Sequence, residues 1–251
     1  MFKSTGVGHG RGIGAAALTM ASALMLAACG APRPHPTPHA PSANAAESAH
    51  RPTPPAGRRY DIDAAQSELR ILVYRAGPLA RLGHNHVVVN RTLHGSITLP
   101  DGAASTAAPG FSLRIPAAGF VVDDGRARRE EGADFAAEVS PDAKAGTLRN
   151  MLSAAVLDAD AFPEISIDSV AVTKRAVTGG FEATVTVGVA GHESRVVVPI
   201  AVRSDAAHLS ATGSLELRQS TLGLTPYSLM LGALQVQDAM TVKFKIVARP
   251  A

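Results

Sequence analysis

The chain has 251 residues, of which 46% are hydrophobic and 4% aromatic, and it contains one cysteine. This is enough apolar material for one large domain, and a lone cysteine excludes an internal disulfide. The pI is about 9.3, but residues 1–58 hold five basic residues and only one acidic residue. Residues 59–251 therefore carry 19 basic and 20 acidic residues, and nucleic acid is excluded as a partner.

Residues 1–28 have the layout of an export signal. Lys3 and Arg11 precede an uncharged run from Ile13 to Ala28, which is short for a membrane-spanning helix because such a helix needs about 20 apolar residues. The run ends in Leu-Ala-Ala-Cys at Cys29, which resembles the lipobox of bacterial lipoproteins. Cys29 is therefore the predicted lipidation site, and its acyl chains predict attachment to a membrane.

A linker and a domain follow the predicted signal. Gly30 stands where an aspartate would favour retention in the inner membrane, so the predicted location is the periplasmic face of the bacterial cell envelope, with the outer membrane favoured. Residues 29–58 are rich in Pro, Ala and His, and such a composition predicts a disordered, extended linker. Residues 59–251 are predicted to form the folded domain.

The domain reads mainly as strands. Ser67 to Tyr74 places Leu69, Ile71 and Val73 on one face, while its last residues make the other face apolar too. This pattern predicts a sheet with an apolar interior and a packed outside. Further strands are predicted at Leu82–Val89, Leu93–Leu99, Phe111–Val122, Glu164–Thr173, Phe181–Ala190, Glu193–Arg203, His208–Gln219 and Gln235–Ala248.

Four other patterns complete the assignment. Apolar residues recur at helical spacing from Ala143 to Leu157, which predicts one amphipathic helix. Gly191-His192 is short enough for a hairpin loop. Pro116 and Gly119 predict a bulge or a sheet edge, and the charged stretch Asp123–Asp134 predicts a solvated loop. The fold class is therefore all-β, an antiparallel barrel of eight strands with one helix, since closure removes the exposed edges of a large sheet.

Several motifs resemble those of a known family. Residues 162–169, FPEISIDS, together with Arg149–Leu152, the hairpin Val185–Val196 and the segment Leu215–Gly223, are similar to elements of the YceI-like family of bacterial extracytoplasmic proteins. The resemblance covers the chain from about Tyr60 onward. It implies a lipocalin-like barrel that binds a long apolar ligand, such as an isoprenoid or a fatty-acid derivative.

Alternation along the strands then gives candidate binding residues. Candidate lining residues on strands and helix are Ile71, Val73, Ile165, Ile167, Met151 and Leu152. Candidate polar residues at the mouth of the barrel are His84, His86 and Arg149. The predicted function is non-catalytic lipid binding by a membrane-tethered periplasmic protein.

His84 and His86 leave alternatives open. On a strand they share one face, under about 7 Å apart, which suits structural hydrogen bonds, contacts to the polar head of a ligand, or a metal or haem. The sequence has no HExxH, CxxC or GxSxG motif, so no catalytic residue, metal site or cofactor is predicted. The rival functions are a metal- or haem-linked redox accessory protein that uses this pair, and a filled envelope stress or scaffold barrel without a ligand.

Overall fold

The structure is a computed structural model that describes residues 57–101, 108–175, 180–205 and 207–251. The predicted signal, Cys29 and nearly all of the predicted linker lie outside the described residues. Within those ranges, no helix has the length and apolarity needed to cross a bilayer.

Twelve strands form one antiparallel sheet in the described part of the chain. They are β1 Arg58–Ile62, β2 Glu68–Ala76, β3 His86–Asn90, β4 His94–Leu99, β5 Gly110–Pro116, β6 Phe120–Val122, β7 Glu164–Lys174, β8 Phe181–Val189, β9 His192–Ser204, β10 Leu209–Arg218, β11 Ser228–Leu229 and β12 Leu234–Pro250. The α-helices are α1 Gly125–Glu130 and α2 Pro141–Leu152. Single 3-10 turns lie at Ala64–Gln66, Ala80–Leu82, Ala117–Gly119, Ala133–Phe135, Ser220–Leu222 and Met230–Gly232.

The sheet closes on itself as a barrel of eight strands. Three of the barrel strands are bent, and each is divided into two segments: β1 with β2, β3 with β4, and β5 with β6. The pairings show this, because β1 pairs with β4 while β2 pairs with β3. In the same way, β5 pairs with β4 while β6 pairs with β3. β12 closes the ring by pairing with β2 and then with β1. With the bent pairs counted once and the two-residue β11 left out, eight strands remain, which confirms the predicted fold class.

The bends share a buried corner. The side-chain amide of Asn90 donates to the Pro116 carbonyl at 2.8 Å, and its oxygen accepts from the Thr92 N–H at 2.9 Å. Gly119 lies against this corner, where a Cβ would stand 1.9 Å from Thr92 Oγ1. The predicted irregularity at Pro116 and Gly119 is therefore the turn between β5 and β6, and only glycine fits the close approach there.

Three buried apolar clusters stabilise the barrel in the described part of the chain, and the smallest consists of Tyr60, Leu209 and Ala248. The inner cluster lies on the inside of the barrel and includes Val88, Leu93, Ile115, Phe120, Val185, Val187 and Ile246. The outer cluster joins β2 and β3 to α1 and the turn after it, and consists of Leu72, Val87, Val89, Ala127 and Phe135, with Tyr74 packed against it. β2 and β3 are thus covered on both faces, as the pattern of Ser67–Tyr74 predicted.

The charged stretch Asp123–Asp134 is not the solvated loop that its composition predicted. It contains α1, whose N-cap Asp124 accepts a hydrogen bond from the Ala127 N–H at 2.9 Å. Arg128 is buried within it. The loop prediction was wrong because the small apolar Ala127 gives the short helix one face that packs on the barrel, while the charges occupy the other faces.

Several predicted boundaries shift. The strand predicted at Leu82–Val89 begins only at His86, and Ala80–Leu82 before it forms a 3-10 turn. α2 ends at Leu152 rather than Leu157, because Ser153 leaves the helical conformation and its hydroxyl donates to the Asn150 carbonyl at 2.7 Å. In the hairpin between β8 and β9 the turn residues are Ala190 and Gly191, since Val189 pairs with His192. β1 begins at Arg58, the last residue of the predicted linker.

Candidate ligand-binding cavity

A cavity of about 730 Å³ occupies the interior of the barrel. Its walls are built almost wholly from aliphatic and aromatic side chains of β2 to β10 and β12, including Val88, Ile97, Leu113, Ile115, Val185, Val187, Val196, Val198, Leu215, Leu217, Val242 and Phe244. The inward positions alternate with outward ones because successive side chains of a strand point to opposite faces. The barrel is therefore hollow, and its hollow is apolar.

Most of the predicted lining residues face this cavity. The five that do so are Ile71, Val73, Met151, Ile165 and Ile167. Leu152 does not line the cavity but packs on the inner cluster. Arg149 is exposed on α2 and does not line it either.

The geometry of α2 explains why Arg149 does not line the cavity. Thr147, Asn150 and Met151 of α2 line the cavity, and spacings of three and four residues put them on one helical face. Arg149 is two residues from Thr147 and so points elsewhere. Thr147 and Asn150 were not among the predicted site residues, although the same spacing that identified the helix places them beside Met151.

Polar side chains line one end of the cavity, which we call the polar end. It is the end at which β2 ends and β12 begins, because Arg75 of β2 pairs with Val236 of β12. The polar residues there are Arg75, His84, His86, Thr147, Asn150, Gln219, Tyr227 and Gln235. His84 and His86, both predicted for the mouth, are thus brought together, and their ring centroids are 6.2 Å apart. His84 precedes β3 rather than lying on it.

His86 is held from both sides of its ring. Its Nδ1 lies 2.7 Å from Asp123 Oδ2, and its Nε2 lies 3.5 Å from the hydroxyl oxygen of Thr147 on α2. The side chain is 15% exposed. The ring is therefore fixed with Nδ1 toward a buried carboxylate and Nε2 toward the polar end of the cavity.

Asp123 organises this end from behind the wall. It is fully buried after β6, in the left-handed conformation with φ 56°. Its second oxygen, Oδ1, accepts from the Val87 N–H at 2.9 Å and from Arg128 Nη1 at 2.5 Å. Arg128 in turn donates to the backbone carbonyls of Asn85 and Ala137, both at 2.8 Å, so its buried charge is satisfied.

The same contacts set the acidity of Asp123. Burial alone would raise the pKa of this carboxyl. Hydrogen bonds from His86, from the Val87 N–H and from Arg128 outweigh burial, and they hold the pKa of Asp123 below its ordinary value of 3.8. The carboxylate is therefore charged at neutral pH, which keeps the hydrogen bond to the His86 ring strong.

No three His, Cys, Asp or Glu side chains converge into a metal-binding group within the described ranges. The side chains of the polar end can donate hydrogen bonds from an imidazole, a hydroxyl and an amide to an oxygen-bearing head group. The rest of the cavity lining is apolar except for Ser204 at the opposite end.

The motif segments that suggested a family meet at this end of the barrel. A Cβ on Gly191, in the turn of the β8–β9 hairpin, would lie 2.7 Å from the Phe162 ring, and one on Gly223 would lie 2.6 Å from the His192 ring. Three stretches far apart in sequence thus make close contacts that only glycine permits.

Comparison with solved structures gives several similar proteins, and the first named here supports the same fold. The chain is similar to Burkholderia cenocepacia BcnA, with 17% identity and a TM-score of 0.52 over 74% of this chain and 98% of that chain. It is also similar to a polyisoprenoid binding domain from Saccharophagus degradans implicated in plant cell wall breakdown, with 14% identity and a TM-score of 0.49 over 76% of this chain and 98% of that chain. For the Campylobacter jejuni YCEI protein the values are 11% and 0.45, over 65% and 84%.

Comparison of sequences gives the family. No curated protein sequence matches the chain. The model of the YceI-like domain family matches residues 60–248, which is nearly the whole barrel and contains every motif segment described above. The chain therefore belongs to the YceI-like domain family.

Proposed function

We propose that the barrel binds a long-chain, isoprenoid-like lipid and catalyses no reaction on it. The observation that carries this proposal is the apolar cavity of about 730 Å³, whose size falls in the usual range for small-molecule sites, about 300 to 1,000 Å³. Burial of a methylene group contributes about 0.8 kcal/mol. An apolar chain gains this contribution repeatedly along the barrel.

The ligand has one orientation in this proposal. Its apolar chain lies along Ile71, Val73, Ile165 and Ile167, and its polar head lies at the polar end beside His86. The reverse orientation would place an oxygen-bearing head among aliphatic side chains, where an unpaired polar group costs about 1 to 3 kcal/mol. Met151 closes the side of the cavity next to the head.

The proposal includes attachment to a membrane. Residues 1–28 direct export, Cys29 carries the lipid anchor, and residues 29–58 are the linker that joins this anchor to the barrel on the periplasmic face, with the outer membrane favoured. What supports this part is the sequence of the signal and of the lipobox-like segment. Substitution Cys29→Ser is expected to abolish incorporation of radiolabelled palmitate into the protein, whereas the unsubstituted protein is expected to incorporate it.

Native mass spectrometry tests the binding proposal. The full chain carrying Cys29→Ser, purified from bacteria without organic solvent, is expected to retain a lipid of several hundred daltons that denaturation releases. Titration with isoprenoids of increasing length is expected to show affinity rising about fourfold for each buried methylene until the cavity is full.

Two outcomes would contradict the proposal. A bare protein mass together with equal affinities for short and long isoprenoids would remove the burial mechanism. A retained metal ion that disappears in His86→Ala would instead favour the metal- or haem-linked function.

A further inference from the structure

Four exposed apolar side chains lie together at the polar end of the barrel. Leu82 is 64% exposed, Leu229 45%, Met230 71% and Leu231 fully exposed. Single exposed apolar residues are ordinary on protein surfaces, but an adjoining group of this size marks an interaction site. We call these four residues the apolar tip.

The two segments that carry the tip are packed on each other. The Leu79 N–H donates to the Ala233 carbonyl at 2.8 Å. A Cβ on Gly77 would lie 2.6 Å from that same carbonyl oxygen, and a Cβ on Gly83 would lie 3.0 Å from Leu234 Cδ1. The turn with Leu82 and the turn with Leu229–Leu231 therefore form one continuous projection.

Two residues of the apolar tip have an unfavourable backbone conformation. Met230 and Leu231 have φ angles of 52° and 53°, a left-handed conformation that bulky side chains rarely adopt. Such strained positions concentrate at functional sites, where the surrounding structure maintains them. Two consecutive strained residues that also expose their side chains indicate a use for that exposure.

The tip adjoins the opening of the cavity and two arginines. Leu229 is both exposed and part of the cavity lining, so the apolar surface continues from the interior onto the tip. Arg75 and Arg81 lie in the same region and are exposed. Within the described ranges, neither arginine forms an ion pair with a carboxylate.

We propose that the apolar tip docks on the surface of a bilayer that contains anionic lipids. The four side chains enter the acyl-chain region, and Arg75 and Arg81 meet the phosphates of the head groups, as in other interfacial membrane contacts. The opening of the cavity then faces the lipid, so that a ligand passes between bilayer and barrel without crossing water. The passage of ligand rests on the proposed function, whereas docking itself does not.

A fluorescent label at the tip tests docking, and a matched label elsewhere on the same chain accounts for any attachment through the apolar run Ile13–Ala28. The full chain with Cys29→Ser receives an environment-sensitive label on Leu231→Cys, and a matched chain receives it on Val197→Cys, an outward residue of β9. With vesicles of phosphatidylethanolamine and phosphatidylglycerol, the label at position 231 is expected to shift to shorter wavelength and to be quenched by brominated acyl chains. The label at 197 is expected to do neither.

The arginines give a second test. Arg81→Gln is expected to weaken binding of the 231-labelled chain to the anionic vesicles about fivefold, since one arginine near such a surface contributes about 1 kcal/mol. It is expected to leave the response to pure phosphatidylcholine vesicles unchanged. An equal loss on both kinds of vesicle would overturn the role of charge.

Other results would overturn docking. Equal responses at positions 231 and 197, or no response at either, would show that the tip does not insert. A shift at 231 that depends on protein concentration without vesicles would assign the tip to a second copy of the chain. Retention of a lipid in native mass spectrometry with no insertion would defeat this inference alone, whereas insertion without retained lipid would defeat the proposed function alone.

Discussion

Asp123 joins three parts of the molecule through its two carboxylate oxygens. One oxygen holds the His86 ring, and the other holds the start of β3 through the Val87 N–H and the buried Arg128 of α1. A charged hydrogen-bond acceptor in a buried place strengthens each of these bonds, but it also makes the arrangement sensitive to loss of the charge.

Asp123→Asn is expected to lower stability and to change its dependence on pH. Because the pKa of Asp123 is lowered by folding, its contribution to the free energy of unfolding is fully present above the ordinary value of 3.8 and is lost as pH falls through the folded value. The free energy of unfolding of Asp123→Asn is therefore expected to fall less than that of the wild-type protein as pH is lowered. At pH 7 the variant is expected to be less stable than the wild-type protein by about 3 to 5 kcal/mol, since Arg128 keeps a buried charge without its partner. Urea unfolding at a series of pH values measures both effects.

Asp134→Asn is the control for that substitution. Asp134 belongs to the same charged stretch but is exposed, so its replacement is expected to change stability by no more than about 0.5 kcal/mol. A wild-type and an Asp123→Asn protein with parallel acid profiles would show that Asp123 does not control the acid sensitivity.

His86→Ala is expected to discriminate between ligands by their heads. Removal of one hydrogen bond to a polar head costs about 0.5 to 1.5 kcal/mol, so affinity for an isoprenoid alcohol falls about 2- to 12-fold while affinity for the matching hydrocarbon stays constant. Fluorescence displacement titrations with both ligands give the ratio. His94→Ala serves as the control because His94 is exposed on β4 and does not line the cavity, and a ratio unchanged in His86→Ala would place the head elsewhere.

At the scale of elements, the β8–β9 hairpin is fixed both by its turn and by the segment before β7. Gly191 adopts φ 76° in the turn, and the Phe162 ring covers it. The hairpin and the start of β7 therefore constrain each other through one contact at the end of the barrel.

Gly191→Ala is expected to destabilise the protein more than Gly132→Ala does. Both glycines have positive φ, 76° and 81°, but a Cβ at Gly132 would meet nothing within 4 Å. The left-handed conformation costs alanine about 1 kcal/mol at either position, and overlap with Phe162 adds about 1 to 3 kcal/mol at Gly191. Thermal or urea unfolding of the two variants measures the difference, and equal losses would mean that the Phe162 ring moves aside without cost.

Alternation of apolar residues predicted the strands closely, and helical spacing predicted α2. The predictions failed where the polar or charged composition of a segment does not indicate that it packs in the barrel. β1 has the sequence RRYDI and reads like the polar linker before it, although its partners in β4 and β12 lie far along the chain. α1 was missed because only Ala127 and Phe135 among its charged neighbours reveal a packed face. Arg149 is exposed on α2 and does not line the cavity, and its place at the mouth stays a prediction.

At the scale of the whole molecule, the cavity is what the sequence did not determine. The lining residues Ile71, Val73, Ile165 and Ile167 were found by alternation, yet the same inward pattern would also suit a filled barrel. Whether opposite walls meet depends on the circumference of the closed sheet and on how side chains from distant strands interlock. Only the structure supplies the volume.

Val198→Phe is expected to shorten the longest ligand that the barrel accepts. Val198 lines the cavity, whereas its neighbour Val197 is 53% exposed on the outside of β9. A ring at position 198 occupies ligand space, so affinity for the longest isoprenoids falls about tenfold or more, while that for short ones changes little, since each excluded methylene forfeits about 0.8 kcal/mol. Titration with the isoprenoid length series measures this, and Val197→Phe is the control that leaves the profile intact.

Closure by β12 dictates an order of events during folding. β12 follows every other strand in the described chain, yet it is the partner of β1, β2 and β10 at once. Until residues 234–250 leave the ribosome, those three strands have unpaired edges that invite association with other chains. Synthesis from the N-terminus therefore leaves the barrel open until its final strand arrives, and a nascent chain of this family depends on being kept apart from its neighbours for that whole interval.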